Sequence, residues 1–349
     1  MKWSEKKVAY ASYSKKLDAP GDRRRFVFYA GERDIKFERA DPQFNYDIIY
    51  LTYGCDLGAW IDYKRRNPAV KIVFELIDSY LLQDASILTA FKGLVRFFVG
   101  RESKLFFNYK SALIEIISIC DAVVCSTDLQ RNNLLQFNEN IHISLDYFSN
   151  DIITHKKCYR TGPKIKLVWE GQPYTVENLL LLNEVLDEIK DSVELYIITD
   201  LTAEYYLGLH KVKTVNLLKR LNCNYNLIPW SRDIISTVVS NSDLAIIPIN
   251  SEDSFSYNKP ENKLLFFWEM GIPVLTSDTP AYKRVMDQAG LDYYCSSTEG
   301  WLQKIERFAR SNESYKQGVV DVANSYISTF HSKEVILAKW DLIFESLEN

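Results

Sequence analysis

The sequence predicts an α/β protein made of two doubly wound parallel-sheet domains facing each other across a cleft. Three observations point there. At 349 residues the chain is too long for one ordinary core. Its strand-like runs are continuously apolar, where one-faced strands would alternate, so they read as strands buried on both faces. Helix-like stretches separate these runs, the alternation that builds parallel sheets covered by helices.

The elements follow in order. Strands are expected at residues 8–12 (VAYAS), 46–52 (YDIIYLT), 70–77 (VKIVFELI) and 121–127 (DAVVCST). A helix is expected over 57–66, and another runs through Leu129, Leu134, Leu135 and Phe137, followed by IHISLD. The pattern breaks at HKKCYRTGP, which puts a boundary near residues 151–163. Beyond it the scheme repeats, with strands at 164–171, 193–199, 225–230, 243–249 and 273–277 and a leucine-rich helix over 176–189. The closing stretch SKEVILAKWDLIFESL reads as a capped amphipathic helix. The expected division is a first domain over 1–160, a second over 161–330, and a terminal helix over 331–349 that crosses back to the first domain.

Composition narrows the classes. Hydrophobic residues at 47% and charged residues at 25% are those of a soluble globular protein. The six cysteines, at 55, 120, 125, 158, 223 and 295, form no C-x-x-C and have no histidine at ligand spacing. Neither a metal site nor a disulfide framework is expected, and a reducing cytoplasm fits. No signal peptide and no membrane-spanning run is expected. Residues 1–160 hold 24 Lys and Arg against 20 Asp and Glu, and the remainder 18 against 26. A basic first half suits phosphates or an anionic membrane surface, and an uneven scatter of surface charge gives the same count. No nucleic-acid motif appears.

The most informative stretch is NKPENKLLFFWEMGIPVLTSDTPAY, residues 258–282. A short apolar helix stops at Gly271 and Pro273, a strand ends at Thr276, and Ser277, Asp278 and Thr279 cap the next helix with Pro280 at its first position. Two helix starts carrying polar residues offer backbone N–H groups and a favourable dipole to an anion.

With DLAIIPI before it, this stretch resembles the nucleotide-sugar glycosyltransferases of the GT-B architecture, in particular the large retaining family that builds bacterial glycans. The resemblance covers residues 164–330 and implies two Rossmann-like domains and a nucleotide-diphospho-sugar donor. It also implies a saccharide or lipid-linked saccharide acceptor, and no cofactor or metal. That family carries two glutamates with seven residues between them. Glu261 and Glu269 have this spacing, but the family register places the pair at Asn258 and Phe266. Asn262 and Lys263 match an Asn-Lys common in the family, which implies that Lys263 neutralises the departing diphosphate and Glu269 holds the ribose. The resemblance further implies donor contacts from Ser277, Asp278 and Thr279. Arg232, after a strand end, is a candidate for base or phosphate contact.

In the first domain, Gly21 sits in a turn beside Arg23, Arg24 and Arg25, where the family places a glycine loop near the donor phosphates. Glu75 and Asp78 end a strand and would orient an acceptor hydroxyl or act as base. Residues 86–104 place apolar and basic residues on different faces, as an interfacial membrane helix does and as a buried helix does equally. Two other functions share the architecture: a nucleotide-sugar epimerase or phosphorylase, and a degenerate non-catalytic partner of an active enzyme.

Overall fold

The computed structural model describes residues 3–82, 92–205 and 210–348. The chain divides into two compact units. The first comprises Met1–Tyr147, Asn258–Pro260 and Ser332–Asn349, and the second Phe148–Tyr257 and Glu261–His331.

The first unit holds strands β1 (Val8–Ala11), β2 (Phe37–Arg39), β3 (Ile48–Thr52), β4 (Lys71–Glu75), β5 (Ala122–Cys125) and β6 (Ile141–Ile143). They form one parallel sheet in the order β2-β1-β3-β4-β5-β6. Because side chains alternate across a strand, each apolar run feeds two cores. Ile49, Leu51, Ile72, Phe74 and Val123 face one cluster with the helices Leu57–Arg66 and Tyr109–Ile119. Ile48, Tyr50, Val73 and Val124 face the other. That second cluster takes in the terminal helix Lys333–Glu345 through Ile336, Trp340, Ile343 and Phe344. Tyr29 stacks on both Trp340 and Phe344, and Arg33 clamps Asp341 through two guanidinium nitrogens.

The second unit holds β7 (Ile165–Glu170), β8 (Val193–Thr199), the antiparallel hairpin β9 (Thr202–Tyr205) and β10 (His210–Lys213), β11 (Tyr225–Pro229), β12 (Leu244–Ile247), β13 (Val274–Ser277) and β14 (Tyr294–Cys295). Its main sheet is parallel in the order β11-β8-β7-β12-β13-β14. Both sheets are doubly wound, as the apolar runs predict. The chain lays strands to one side of a starting strand, then returns to build on the other, leaving a crevice at the carboxyl ends where the direction reverses.

Two local differences from the sequence reading have clear causes. The leucine-rich helix expected over 176–189 is a 3-10 helix, Pro173–Leu182, followed by a short α-helix, Asn183–Glu188. Its buried residues are Pro173, Val176, Leu179 and Leu182. That spacing of three is the period of a 3-10 helix and does not suit an α-helix. The glycine turn at Ala19–Asp22 is one turn of helix, Pro20–Arg23, with proline at its start. Residues 86–91 of the expected 86–104 segment lie outside the described residues. Its described part forms the helix Lys92–Phe98.

Candidate active site

In the second unit the direction reverses between β7 and β12. The chain leaves β7 at Glu170 and Gly171. The loop after β12 ends at Glu261, the N-cap of the helix Asn262–Glu269. Lys263, in the first turn, donates from Nζ to the Glu170 carbonyl at 2.6 Å and lies 5.3 Å from the Trp169 ring. Gly171 makes room for this. A Cβ there would stand 2.8 Å from the Trp169 ring and 2.9 Å from Lys263 Nζ. The lysine is therefore seated on a neutral carbonyl and an indole face at the helix start, the end that favours anions.

Glu261 is buried, and its carboxylate accepts from Arg284 Nη2 at 2.5 Å. Arg284 lies on the following helix, Pro280–Ala289, so the pair ties two helix starts together. The Tyr282 hydroxyl is held well above its ordinary range, first by burial and then by the nearby Glu261 and Glu170. Ser277 ends β13 and grips Ile249, accepting from its N–H at 2.9 Å and donating to its carbonyl at 3.3 Å. Thr279 is a true N-cap, its Oγ1 accepting from Tyr282 N. Asp278, half-buried between them, donates its backbone N–H to Cys295. Lys263, Glu261, Asn262 and the three cap residues thus all lie at the carboxyl edge of this sheet. Trp169 and Gly171, which stand where the family's first phosphate-binding loop of this domain would begin, lie beside them, as does Arg284, which was not singled out from the sequence. Glu261 and Arg284 are 23 positions apart, so no local spacing announces the pair.

Glu269 lies elsewhere. It is the last residue of the helix, about 9 Å along the axis from Lys263. The next residue, Met270, accepts through its carbonyl from Lys156 N, and Lys156 Nζ reaches the Ser242 carbonyl just before β12 begins. Glu269 is therefore near the amino edge of the sheet, away from the end that binds ligands. Its carboxylate accepts from Ser149, and burial raises its pKa while Ser149 and His155 pull it down. The expected ribose contact would therefore have to come from the helix end opposite Lys263. At the family's glutamate register, Phe266 is buried against Phe148, ring centroids 5.2 Å apart. Asn258, counted with the first unit, accepts through its carbonyl from Ser79 Oγ. Arg232 pairs with the buried Asp151 at 3.2 Å and donates to the Asn150 carbonyl, which makes it an anchor for the segment after Phe148.

In the first unit the direction reverses between β1 and β3, and this crevice is filled. Arg25 is fully buried and donates from Nε to Glu75 at 2.5 Å and from Nη1 to Asp146 at 3.1 Å. Glu75 also accepts from the hydroxyls of Tyr50 at 2.6 Å and Tyr13 at 3.1 Å. Glu75, expected to orient an acceptor or act as base, is a carboxylate with no exposure whose hydrogen bonds are taken up by these three donors. Gly21 packs closely against Tyr13, since a Cβ would lie 2.6 Å from that ring. Its absent side chain makes room for an aromatic ring of the protein itself. Asp78 differs from Glu75. It is half-buried, and burial raises its pKa, opposed by Lys259 and the Tyr80 hydroxyl.

No family model and no curated protein sequence matches the chain. Solved structures do. HepE of Anabaena, solved with UDP and glucose, aligns over 99% of this chain and 100% of its own at 12% identity and a TM-score of 0.65. A glycosyltransferase from Rickettsia africae ESF-5 aligns over 99% and 100% at 13% identity and a TM-score of 0.60. TarM aligns over 85% of this chain at 14% identity and a TM-score of 0.59, and the chain spans 54% of its length. At such identities the likeness is one of fold. The protein is built on the GT-B architecture, two Rossmann-like units each with its own doubly wound parallel sheet.

Proposed function

We propose that the protein is a glycosyltransferase moving a sugar from a nucleotide-diphospho sugar to a saccharide or lipid-linked saccharide in bacterial surface glycan synthesis. The observation that carries this reading is the Lys263 corner at the reversal point of the second sheet, in a fold whose solved example HepE was crystallised with UDP-glucose. As the anomeric carbon–oxygen bond breaks, negative charge gathers on the leaving diphosphate. Lys263, Arg284 and the N–H groups opening the Asn262–Glu269 helix would meet that charge without a metal ion. Displacing the Glu170 carbonyl from Lys263 exchanges a neutral partner for an anionic one. Retention of anomeric configuration follows the family resemblance, and Asp78, with its raised pKa, is the better-placed base of the two first-unit carboxylates.

Turnover tests the proposal. Incubated with a panel of nucleotide sugars and glycan acceptors, the protein should release nucleoside diphosphate only when both substrates are present. Loss of that release in Lys263→Ala, with an unchanged unfolding midpoint, would place the chemistry at this corner. Nucleotide binding without acceptor-dependent release would favour an epimerase or phosphorylase. The second reading, a degenerate partner subunit, is favoured by Phe266, which puts an aromatic ring where the family has a carboxylate. It predicts that no nucleotide sugar binds, and calorimetry decides.

The location we propose is the cytoplasmic face of a membrane. All six cysteines are free, and among the described residues no helix is long and apolar enough to cross a bilayer. Phe98 and Phe107 are 76% and 80% exposed, with Val95, Val99 and Leu105 also exposed and Arg101 and Lys110 beside them. Aromatic residues flanked by cations suit the interface of an anionic bilayer. Co-sedimentation with anionic but not neutral vesicles, lost in a Phe98→Ser, Phe107→Ser double variant, tests that contact.

A further inference from the structure

The second unit has a hollow that shares no residue with the Lys263 corner. It measures about 420 Å³ and lies among Leu291, Tyr293, Arg307, Tyr315, Gly318 and Val319. That volume is within the range of small-molecule sites. Its walls are the approach to β14 and the helices Thr298–Arg310 and Glu313–Phe330.

Gly318 carries the first argument. It sits inside the helix Glu313–Phe330, where glycine is less stable than any residue but proline. Glycine in a helix is usually explained by close packing. Here a Cβ would find nothing within 4 Å, so no neighbour forbids a side chain. What the missing side chain does is leave the hollow open.

The charges carry the second. Lys304 is bound to Asp292 at 2.5 Å and to the Tyr294 carbonyl at 2.7 Å, and Arg310 is bound to Glu306 at 2.8 Å. Among the described residues Arg307 forms no ion pair, and its guanidinium lies 5.9 Å from the Tyr315 ring. The Tyr315 hydroxyl accepts from Tyr293 at 3.4 Å. The hollow thus combines an apolar floor, an aromatic wall and one cation whose neighbouring charges are already balanced. We propose that it binds a small aromatic carboxylate, the ring against Leu291, Val319 and Tyr315 and the carboxylate on Arg307.

Calorimetry of the full chain with 2-naphthoate and its neutral analogue 2-naphthamide tests this. Naphthoate should bind below about 1 mM, and naphthamide at least about tenfold more weakly. Gly318→Leu fills the hollow and replaces a poor helix former with a good one. It should abolish naphthoate binding while leaving the melting temperature unchanged or higher. Arg307→Gln, a surface change, should cost at least about tenfold in naphthoate affinity and nothing for naphthamide. Absence of naphthoate binding, equal binding of the two probes, or wild-type affinity in either variant would overturn the proposal. None of these readouts depends on sugar transfer.

Discussion

The two sheets treat their reversal points in opposite ways. In the first unit the crevice is occupied by the protein's own charges, with Arg25 held between Glu75 and Asp146 and the tyrosines Tyr13 and Tyr50 completing the carboxylate's hydrogen bonds. In the second, the cation at the crevice rests on a backbone carbonyl and an indole ring, and the buried carboxylate of Glu261 is tied to Arg284 on another helix. A buried ion pair stabilises little on balance but is costly to break, because the survivor is stranded. Moving a lysine off a backbone carbonyl strands no charge on that carbonyl. The same crevice geometry thus forms a structural lock in one unit, and in the other it is where we propose that the donor binds.

The largest effect should come from opening the lock. Arg25→Ala leaves Glu75 buried without its cation, while Asp146 keeps Arg24 at 3.9 Å, and should cost about 3–5 kcal/mol in chemical denaturation. Unchanged stability would mean that the first crevice is also available for function. Lys263→Ala should lower acceptor-dependent nucleotide release about 10²–10³-fold, the range for removing one preorganised electrostatic donor. Its denaturation curve should overlay the parent. Gly171→Ala tests the seat itself. The added methyl collides with Trp169 and Lys263 and should destabilise by about 1–3 kcal/mol while weakening nucleotide affinity. A stable variant with normal affinity would show that the lysine is not positioned by this glycine.

The smallest effect concerns Glu269. Burial raises its pKa, so over the window above the ordinary carboxylate range the folded protein keeps a proton that the unfolded chain has released. Stability should therefore fall as pH rises through that window, and Glu269→Gln should remove the decline without changing nucleotide affinity. A marked loss of nucleotide affinity in that variant would restore the glutamate to the site.

Most of the architecture was legible because buried parallel strands are long apolar runs, and β3, β4, β8 and β12 are all fully or mostly buried. The strands that escaped notice are short or polar. β2 is FER with no buried residue, β10 is HKVK, and β14 is two residues long. Each is specified by its neighbour in the sheet more than by its own composition. The lysine corner was legible from the polar residues at its helix starts. The glutamate pair shows the limit of a count along the chain, because the helix carries its two ends toward opposite edges of the sheet. Arg25 was hidden among three consecutive arginines that read as one exposed cluster. Which of the three is buried depends on carboxylates 50 and 121 positions away.

The helix Lys333–Glu345 belongs to the first unit although the whole second unit precedes it in the chain. A ribosome therefore delivers β1 to β6 long before Trp340 and Phe344 exist to cover Phe26, Tyr29 and Tyr50. Until then the nascent first unit presents an uncovered aromatic face. Its maturation is tied to completing the second unit, and shortening the chain at its end should first expose the half that was made first.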